Sequence, residues 1–282
     1  MSEPVHTETA KAKINLNLRI LAKREDGFHS IETRMAPVSL ADELEFHLAD
    51  EYLLECCFPD VPLDETNLVT KAVRIFQRET GKACAWRVVL KKSVPHGAGL
   101  GGGSADAAAV LRGLNHLEET NLSNDTLADW CTEIGSDVPF FVYESVCDCS
   151  GRGEIVKPVT WNHKVRVMLL KPSFGVSTPT AYKAWAGSEE IPDVNYEKQS
   201  FEWGEMFNDL ERPVFAKHRF LAEMKMWLLD QPETTGAMMS GSGSTMIAVL
   251  KNNLTGVEEQ SLMIRAKQEL APTLWCEVVE LG

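Results

Sequence analysis

The sequence lacks long apolar runs and is poor in positive charge. Its 282 residues hold 28 Lys and Arg against 41 Asp and Glu, which gives a formal net charge of −13. A membrane-spanning helix needs about 20 consecutive apolar residues, and binding to nucleic acid or to anionic lipid needs a basic surface. We therefore expect neither a nucleic-acid partner nor a membrane partner.

Cysteine usage excludes two further classes. The seven cysteines include no C-x-x-C pair, and only the pairs Cys56/Cys57 and Cys147/Cys149 lie close together in sequence. These spacings fit neither a zinc site nor a disulfide framework, so we expect reduced thiols. The N-terminal residues contain acids and no apolar core, unlike a signal or transit peptide. Both observations favour a cytoplasmic protein.

The most informative segment is residues 95–117, where glycine is dense. Five of the seven residues from 97 to 103 are glycine, and an alanine-rich run with apolar residues at helical spacing follows them. Residues 86–92 are typical of a strand, so the unit is strand, loop and helix. The first N–H groups of such a helix have no partner within it and carry partial positive charge. The segment therefore predicts a binding site for a nucleotide or another polyphosphate.

Three well-known phosphate-binding loops fit this segment poorly. A P-loop ends in Gly-Lys-Ser/Thr, and no lysine follows the glycines here. Residues 97–102 match the letters G-x-G-x-x-G of a dinucleotide-binding fold, but the polar residues 118–124 stand where its second strand should follow. A protein-kinase loop requires H-R-D and D-F-G motifs, which the sequence lacks. A nicotinamide-dependent dehydrogenase is therefore a distant alternative.

Residues 99–109, Gly-Leu-Gly-Gly-Gly-Ser-Ala-Asp-Ala-Ala-Ala, resemble the ATP loop of the GHMP small-molecule kinases. The triple-glycine form is similar to one branch of that family, which acts on a cytidine diphosphate-linked methylerythritol. Four more segments resemble family motifs in the same order: residues 12–18, 26–31, 135–141 and 239–244. Together the motifs span the chain from about Lys11 to Leu250.

The resemblance implies an α+β fold of two domains with the active site in the cleft between them. Residues 1–157 would form an ATP-binding domain like the second domain of ribosomal protein S5, and residues 158–282 a ferredoxin-like domain. Hydrophobic patterning independently predicts strands at 14–21, 42–48, 52–58, 86–92, 165–170, 246–250 and 275–281. It also predicts helices at 66–80, after the glycines, at 122–134 with Ser123 as the cap, from 178, at 215–229 and at 256–270, and a long irregular loop over 185–203.

Two residues carry the chemistry that the resemblance implies. Asp137 would accept the proton of the attacking hydroxyl, and Lys13 would favour the carboxylate form and stabilise charge on the transferred phosphoryl group. A loop or helix-capping role is the ordinary alternative for Asp137, which stands between Gly-Ser and Val-Pro. A solvated position on a strand is the alternative for Lys13. The neighbouring motifs favour the catalytic roles.

ATP and Mg²⁺ are the implied cofactors. Ser104 could donate to phosphate or hold Mg²⁺, and it could also simply cap the helix; both roles stay open. Asn67 could contact adenine or cap a helix. The implied ATP-binding residues are Asn67, Pro95, His96, Gly97, Ala98, Gly99, Leu100, Gly101, Gly102, Gly103, Ser104 and Ala105.

Recognition of the substrate would depend on a second set of residues. The resemblance implies that His29 hydrogen-bonds the cytosine edge while Phe28 and Tyr182 stack on the base. Met35 departs from the family, which often has an aromatic residue near that position. The implied substrate-binding residues are Asn15, Phe28, His29, Thr178, Tyr182, Gly241, Ser242 and Gly243.

The favoured function is thus ATP-dependent phosphorylation of the 2-hydroxyl of that substrate, for isoprenoid precursor synthesis by the non-mevalonate route. One alternative is a GHMP kinase for another alcohol, such as homoserine or a mevalonate derivative. Another is a ligand sensor that kept the fold without the chemistry, although such a protein should lack the lysine or the aspartate. We expect a monomer or a weak homodimer.

Overall fold

The computed structural model describes residues 3–59 and 61–282, so residues 1, 2 and 60 of the expected N-terminal domain lie outside the described residues. Within these two ranges no helix combines the length and the apolar character that crossing a membrane requires. The secondary structure is mixed, with twelve strands and eight helices in the described part of the chain. This agrees with the predicted α+β class.

Two long antiparallel strands, β1 (His6–Lys23) and β2 (His29–Leu48), form the centre of the first sheet. The predicted strand over 14–21 is therefore only part of β1. Ile14 and Leu16 are fully buried, as their alternation predicts, but Lys13 and Asn15 on the other face are buried as well. Both faces of β1 are thus covered at this point, and the polar face is the one that matters for the site.

The first sheet contains eight strands, in the order β3-β4-β2-β1-β9-β8, with a hairpin of β5 and β6 attached to β2. The additional strands are β3 (Leu53–Cys56), β4 (Trp86–Lys91), β5 (Cys147–Gly151), β6 (Ile155–Pro158), β8 (Gln199–Phe201) and β9 (Gly204–Asn208). The helix α1 (Leu68–Thr80) connects the parallel strands β3 and β4. The β5–β6 hairpin, β8 and β9 were not predicted from the sequence, because these strands are short and have no clear alternation. The strand β8 lies within residues 185–203, where an irregular loop was predicted.

The helix α2 (Gly102–Leu117) packs against β1 and β2, and the helices α3 (Asn124–Cys131) and α4 (Val138–Val142) pack against α2. The alanines of α2 are completely buried and allow the helix to lie close to the sheet. At Gly113 even a methyl group would collide with the ring of Phe46. Ser123 caps α3 through the N–H of Thr126, as predicted.

The second sheet has four antiparallel strands in the order β10-β11-β7-β12. They are β7 (Arg166–Lys171), β10 (Thr234–Met239), β11 (Met246–Leu250) and β12 (Trp275–Glu280), and the helices are α5 (Thr178–Trp185), α6 (Glu211–Lys217), α7 (Arg219–Leu229) and α8 (Gly256–Glu269). The β-α-β-β-α-β succession and this strand order are ferredoxin-like, as expected. The predicted single helix over 215–229 is wrong: His218, at φ −123° and ψ 72°, separates α6 from α7.

The two sheets meet through an apolar layer. Ile14 and Leu16 of β1 belong to the same buried cluster as Val167 and Leu169 of β7. The expected boundary at 157/158 stays a prediction, and the later strands β8 and β9 join the first sheet rather than the second. This contact brings the loop between β10 and β11 against the polar face of β1.

Candidate active site

Two cavities lie on either side of the loop formed by residues 97–103, called the glycine loop below. The larger cavity has a volume of about 820 Å³ and is lined by Lys13, Asp137 and residues of β1, β2 and α5. The smaller cavity has a volume of about 330 Å³ and is lined by the glycine loop and the start of α1. Gly99 and Gly101 line both cavities. Ligands in the two cavities would therefore meet at these glycines.

The backbone of the glycine loop requires glycine at several points. Gly97, Gly99 and Gly101 have φ angles of +63°, +76° and +72°, in the left-handed region that other residues rarely adopt. Gly101 is the N-cap of α2 and has no side chain with which to cap it. The N–H groups of the first helical turn therefore stay available to an anion, as the sequence predicts.

Nearly all of the expected ATP-binding residues line the smaller cavity, namely Asn67 and residues 95–104. Ala105 does not line this cavity, because it is buried in the hydrophobic core. Ser104 is the third residue of α2, so its interpretation as a plain N-cap is wrong, because the helix already begins at Gly102. Its hydroxyl group instead belongs to the wall of the cavity.

Asn67 performs the capping role that was one of its two interpretations. Its Oδ1 accepts a hydrogen bond from the N–H of Val69 at 2.8 Å, and its Nδ2 donates to the carbonyl of Pro62 at 2.6 Å. Since Asn67 also lines the smaller cavity, the start of α1 forms the wall opposite the glycine loop.

A buried charged cluster that was not predicted from the sequence lies in the wall of the smaller cavity. Lys92 contacts Asp42 and also donates to Asp106 Oδ2 at 2.7 Å. The second oxygen of Asp106, Oδ1, is buried and has no hydrogen-bond partner among the described residues. Burial raises the pKa of Asp106 to about 7, with Asp42 adding to the effect and Lys92 opposing it. The sequence feature that could have indicated this cluster is Asp106 itself, an acidic residue within the alanine-rich run that follows the glycines.

Lys13 and Asp137 come together at the floor of the larger cavity. Lys13 Nζ lies 3.5 Å from Asp137 Oδ2 and donates a hydrogen bond to Asn15 Oδ1 at 2.7 Å. Asn15 in turn donates to Thr33 at 2.8 Å. The main-chain N–H of Lys13 donates to the carbonyl of Leu100 at 2.9 Å, which ties β1 to the glycine loop.

Neither a solvated strand position for Lys13 nor a helix-capping role for Asp137 agrees with the structure. Lys13 is buried, so it is not a solvated strand lysine. Asp137 occupies the N-cap position of α4, but its side chain makes no capping hydrogen bond. Its carboxylate is therefore free to face Lys13 and the larger cavity.

Aromatic side chains line the far end of the larger cavity. The ring of His29 stacks on Tyr182, with centroids 5.6 Å apart at 27°, and meets the ring of Trp185 edge-on at 5.9 Å. Phe28 is 52% exposed, and the guanidinium of Arg152 lies 4.9 Å from its ring centre. Burial raises the pKa of the Tyr182 hydroxyl. These rings offer flat apolar surfaces beside a polar imidazole.

Trp185 and Arg152 were not expected in this cavity. Trp185 stands at the end of α5, at the start of a region whose pattern had predicted only an irregular loop. Arg152 stands between Gly151 and Gly153 at the tip of the β5–β6 hairpin, and the glycine pair was its available signal. Met35, which departs from the family, is buried and lines the same cavity.

The loop between β10 and β11, residues 240–245, closes the site from the second sheet. Gly241 and Ser242 line the larger cavity, and the hydroxyls of Ser242 and Thr178 lie 2.7 Å apart. Gly243 does not line it: a Cβ at this position would lie 2.7 Å from Met239 Sδ, inside the protein. Gly243 instead approaches the glycine loop, where a Cβ on Gly99 would lie 2.8 Å from the Gly243 carbonyl oxygen.

This arrangement is suited to moving a phosphoryl group. A loop of free N–H groups faces one cavity, and an ammonium–carboxylate pair faces the other beside the same glycines. Phosphoryl transfer asks mainly for positioning and charge neutralisation, which such a loop and a lysine supply. The carboxylate adds an acceptor for the proton of an attacking hydroxyl.

Comparison with known proteins agrees with this geometry. Residues 67–145 match the family model of the GHMP kinase N-terminal domain. The chain is 38% identical to 4-diphosphocytidyl-2-C-methyl-D-erythritol kinase of Methylacidiphilum infernorum, over 96% of this chain and 95% of that one. It is 35% identical to the enzyme of the same name from Thermodesulfovibrio yellowstonii, over 96% of both chains.

Solved structures give the same result. A crystal structure of 4-(cytidine 5'-diphospho)-2C-methyl-D-erythritol kinase superposes with a TM-score of 0.79 at 30% identity, covering 98% of this chain and 99% of that one. Homoserine kinase from Cytophaga hutchinsonii superposes with a TM-score of 0.67 at 16% identity, covering 100% and 96%, and this likeness concerns the fold alone.

Proposed function

The chain belongs to the 4-diphosphocytidyl-2-C-methyl-D-erythritol kinase family of GHMP kinases, and we propose that its Lys13–Asp137 pair transfers the γ-phosphate of ATP to the 2-hydroxyl of that substrate. The enzyme is an ATP-dependent small-molecule kinase of the non-mevalonate route to isoprenoids. The observation that carries the proposal is the 3.5 Å contact of Lys13 and Asp137 beside the glycines common to both cavities.

ATP would bind in the smaller cavity with its phosphates on the glycine loop. The N–H groups at the start of α2 would hold the β- and γ-phosphates. The larger cavity would then hold the acceptor, so that its hydroxyl meets the terminal phosphate at Gly99 and Gly101. The volume of about 820 Å³ suits a substrate as large as a nucleotide-linked polyol.

Mg²⁺ would enter with ATP. Among the described residues no cluster of three or more His, Cys, Asp or Glu is arranged to hold a metal ion. The hydroxyl of Ser104 in the cavity wall is a hard oxygen ligand of the kind that Mg²⁺ accepts alongside phosphate oxygens and water. Bound there, the ion would neutralise charge on the phosphates.

The proton and the developing charge are assigned to two side chains. The Asp137 carboxylate would take the proton of the 2-hydroxyl as the hydroxyl oxygen bonds to the γ-phosphorus and the bond to the β-phosphate oxygen breaks. Lys13 Nζ, fixed by Asn15, would face the phosphoryl oxygens during that step. Asn15, Thr178, Gly241 and Ser242 would contact the polyol portion from the walls of the larger cavity.

The aromatic end of the larger cavity would receive cytosine. His29 would hydrogen-bond the base edge while Phe28 and Tyr182 stack on its faces. In the structure the imidazole of His29 occupies the face of the Tyr182 ring. The cytosine ring would therefore displace the imidazole, which would rotate to the edge of the base, and the base would lie between Tyr182 and Phe28. Trp185 would support His29 from the side.

The acceptor test separates this function from its alternatives. We expect ADP formation with 4-diphosphocytidyl-2-C-methyl-D-erythritol and none with homoserine or mevalonate. Phosphorylation of homoserine but not of the cytidine substrate would overturn the proposal. Tight ATP binding without ADP formation from any acceptor would favour a sensor, and NADH binding would favour a dehydrogenase.

The compartment, the oligomeric state and the domain boundary of the chain are also part of this proposal. We propose a cytoplasmic monomer or weak homodimer whose ATP-binding and C-terminal domains divide near residues 157 and 158. All seven cysteines are free thiols in the structure. Size-exclusion chromatography with light scattering would measure the oligomeric state.

A further inference from the structure

A buried asparagine ends β9, next to the strand that carries Lys13. Asn208 is 6% exposed and pairs with Leu18 of β1 in the parallel ladder. Its Nδ2 donates hydrogen bonds to the carbonyl oxygens of Met239 and Gly241, both at 2.7 Å. Its Oδ1 accepts from the N–H of Leu210 at 2.9 Å. Both amide protons are thus used to hold the main chain at the end of β10 and the start of the β10–β11 loop.

That loop packs against Lys13 and Asn15. A Cβ on Gly241 would lie 3.0 Å from Asn15 Oδ1 and 3.6 Å from Lys13 Nζ, so the Gly241 main chain packs directly on the Lys13–Asn15 hydrogen bond. The hydroxyl of Ser240 also accepts a hydrogen bond from the N–H of Asn15 at 3.3 Å. The position of the loop therefore limits where the lysine ammonium can lie.

A buried ion pair holds the same segment from its other side. Glu211 Oε1 accepts from the N–H of Met239 at 2.9 Å, and Glu211 Oε2 accepts from Lys225 Nζ at 2.6 Å. Both side chains are almost completely buried. Buried ion pairs are weak evidence of a gain in stability, because desolvation offsets much of their attraction. Asn208 and Glu211 together fix both polar groups of the Met239 main chain.

We propose that Asn208 is a positioning residue for phosphoryl transfer: it holds Gly241 against Lys13 and so keeps the ammonium facing Asp137 and the γ-phosphate. The inference rests on the proposed function, because it requires that Lys13 act in catalysis. Asn208 itself touches neither cavity. Its replacement should therefore lower kcat and leave the binding of both substrates largely intact.

The test is Asn208→Asp, an isosteric change that removes the amide protons and sets a negative charge against two carbonyl oxygens. We expect kcat to fall about 10- to 100-fold, the loss expected for a misplacement of about 1 Å, while KM for ATP and for the cytidine substrate stays within about threefold. The exposed Asn253→Asp is the matched control and should keep the wild-type kcat. An unchanged kcat, or a loss confined to KM, would overturn the proposal.

A second variant keeps the proposal testable if the first variant does not fold. If Asn208→Asp fails to fold by circular dichroism, Ser240→Ala loosens the same loop by removing the hydroxyl group that accepts a hydrogen bond from the Asn15 N–H. It should then reduce kcat about 3- to 10-fold with KM for ATP unchanged, and wild-type turnover in Ser240→Ala would sink the proposal.

Lys13→Met is measured in parallel to separate the two claims. Full turnover in Lys13→Met removes the proposed function and this inference with it. An inactive Lys13→Met beside a fully active Asn208→Asp removes only this inference.

Discussion

The ammonium of Lys13 and the carboxylate of Asp137 lie 3.5 Å apart but differ in exposure: 5% of the lysine side chain is accessible, against 43% of the aspartate side chain. Lys13 reaches the pair from the interior, where Asn15 and the Leu100 carbonyl hold it. Asp137 reaches it from the cavity side. Under the proposed function, an incoming hydroxyl would therefore meet the carboxylate first, with the fixed positive charge behind it.

The pair should control turnover rather than nucleotide affinity. We expect Asp137→Asn and Lys13→Met each to lower kcat by about 10²- to 10⁴-fold, the usual contribution of a positioned proton acceptor or charge. ATP should still bind, because in the proposed function its phosphates would rest on the glycine loop. Steady-state kinetics and calorimetric titration with ATP measure the two quantities, with the exposed Asp129→Asn as control. Near-normal turnover in either variant would remove the assigned role.

The glycine loop should not tolerate a side chain at Gly101. Its φ of +72° disfavours alanine, and the new Cβ would lie 2.5 Å from Phe141 Cζ. We expect Gly101→Ala to raise KM for ATP at least about tenfold through loss of loop geometry, with a lower Tm. Gly81→Ala is the matched control, because Gly81 has a similar φ of +70° and none of the described residues comes within 4 Å of where its Cβ would lie. Equal ATP kinetics in the two variants would contradict this account.

The aromatic end of the larger cavity should determine affinity for the cytidine substrate. Stacking on a base contributes about 1–3 kcal/mol per aromatic residue. Tyr182→Ala and Phe28→Ala should therefore each raise KM for that substrate about 5- to 150-fold, with little change in KM for ATP. Phe58→Ala, exposed and outside the larger cavity, should behave like the wild type. If KM for ATP rises equally, the two cavities are wrongly assigned.

Asp106 should make stability depend on pH in an unusual direction. Its pKa is raised from 3.8 to about 7 in the folded protein, mainly by burial, so the folded state binds the proton more tightly than the unfolded state. The stabilising contribution is fully present below pH 4 and is lost as the pH rises through about 7. Asparagine does not titrate. The stability of Asp106→Asn relative to the wild type should therefore increase between pH 5 and pH 8.

Urea denaturation of both proteins at several pH values checks this prediction. Other ionisable groups lie near Asp106. Lys92 contacts both Asp106 and Asp42, and His96 lies in the wall of the same cavity. These groups are present in both proteins, so the difference reports the ionisation of Asp106 together with its coupling to Lys92 and Asp42. A difference that does not change with pH would show that Asp106 stays ionised throughout.

The parts of the site that sequence predicted are those encoded locally. The glycine loop and the start of α2 follow from one short segment whose residue types indicate its conformation. The pairing of Lys13 with Asp137, which are 124 positions apart, was expected only from the family resemblance. Lys92 and Asp42 are 50 positions apart, and Asn208 and Gly241 are 33 positions apart. In sequence Asn208 looks like an ordinary turn residue, because nothing nearby shows which carbonyl groups it will meet.

The same limit applies to the fold. Alternation in 14–21 predicted a strand, but not that both of its faces would be covered, since the cover at Lys13 comes from a loop more than 220 residues later. The hydrophobic pattern did not place Trp185 in the site, because the helical periodicity of α5 ends at this residue. Its place beside His29 depends on how the second sheet packs on the first.

The strand order has a consequence for synthesis on the ribosome. One edge of β1 is completed by β9 through the pairs Asn17–Phe207 and Leu18–Asn208, and those partners emerge long after β1 itself. Until then the nascent chain presents an unpaired edge, which is open to pairing with other chains. A translation pause before residue 208 would prolong that hazard, and chaperone demand should fall sharply once β9 has been made.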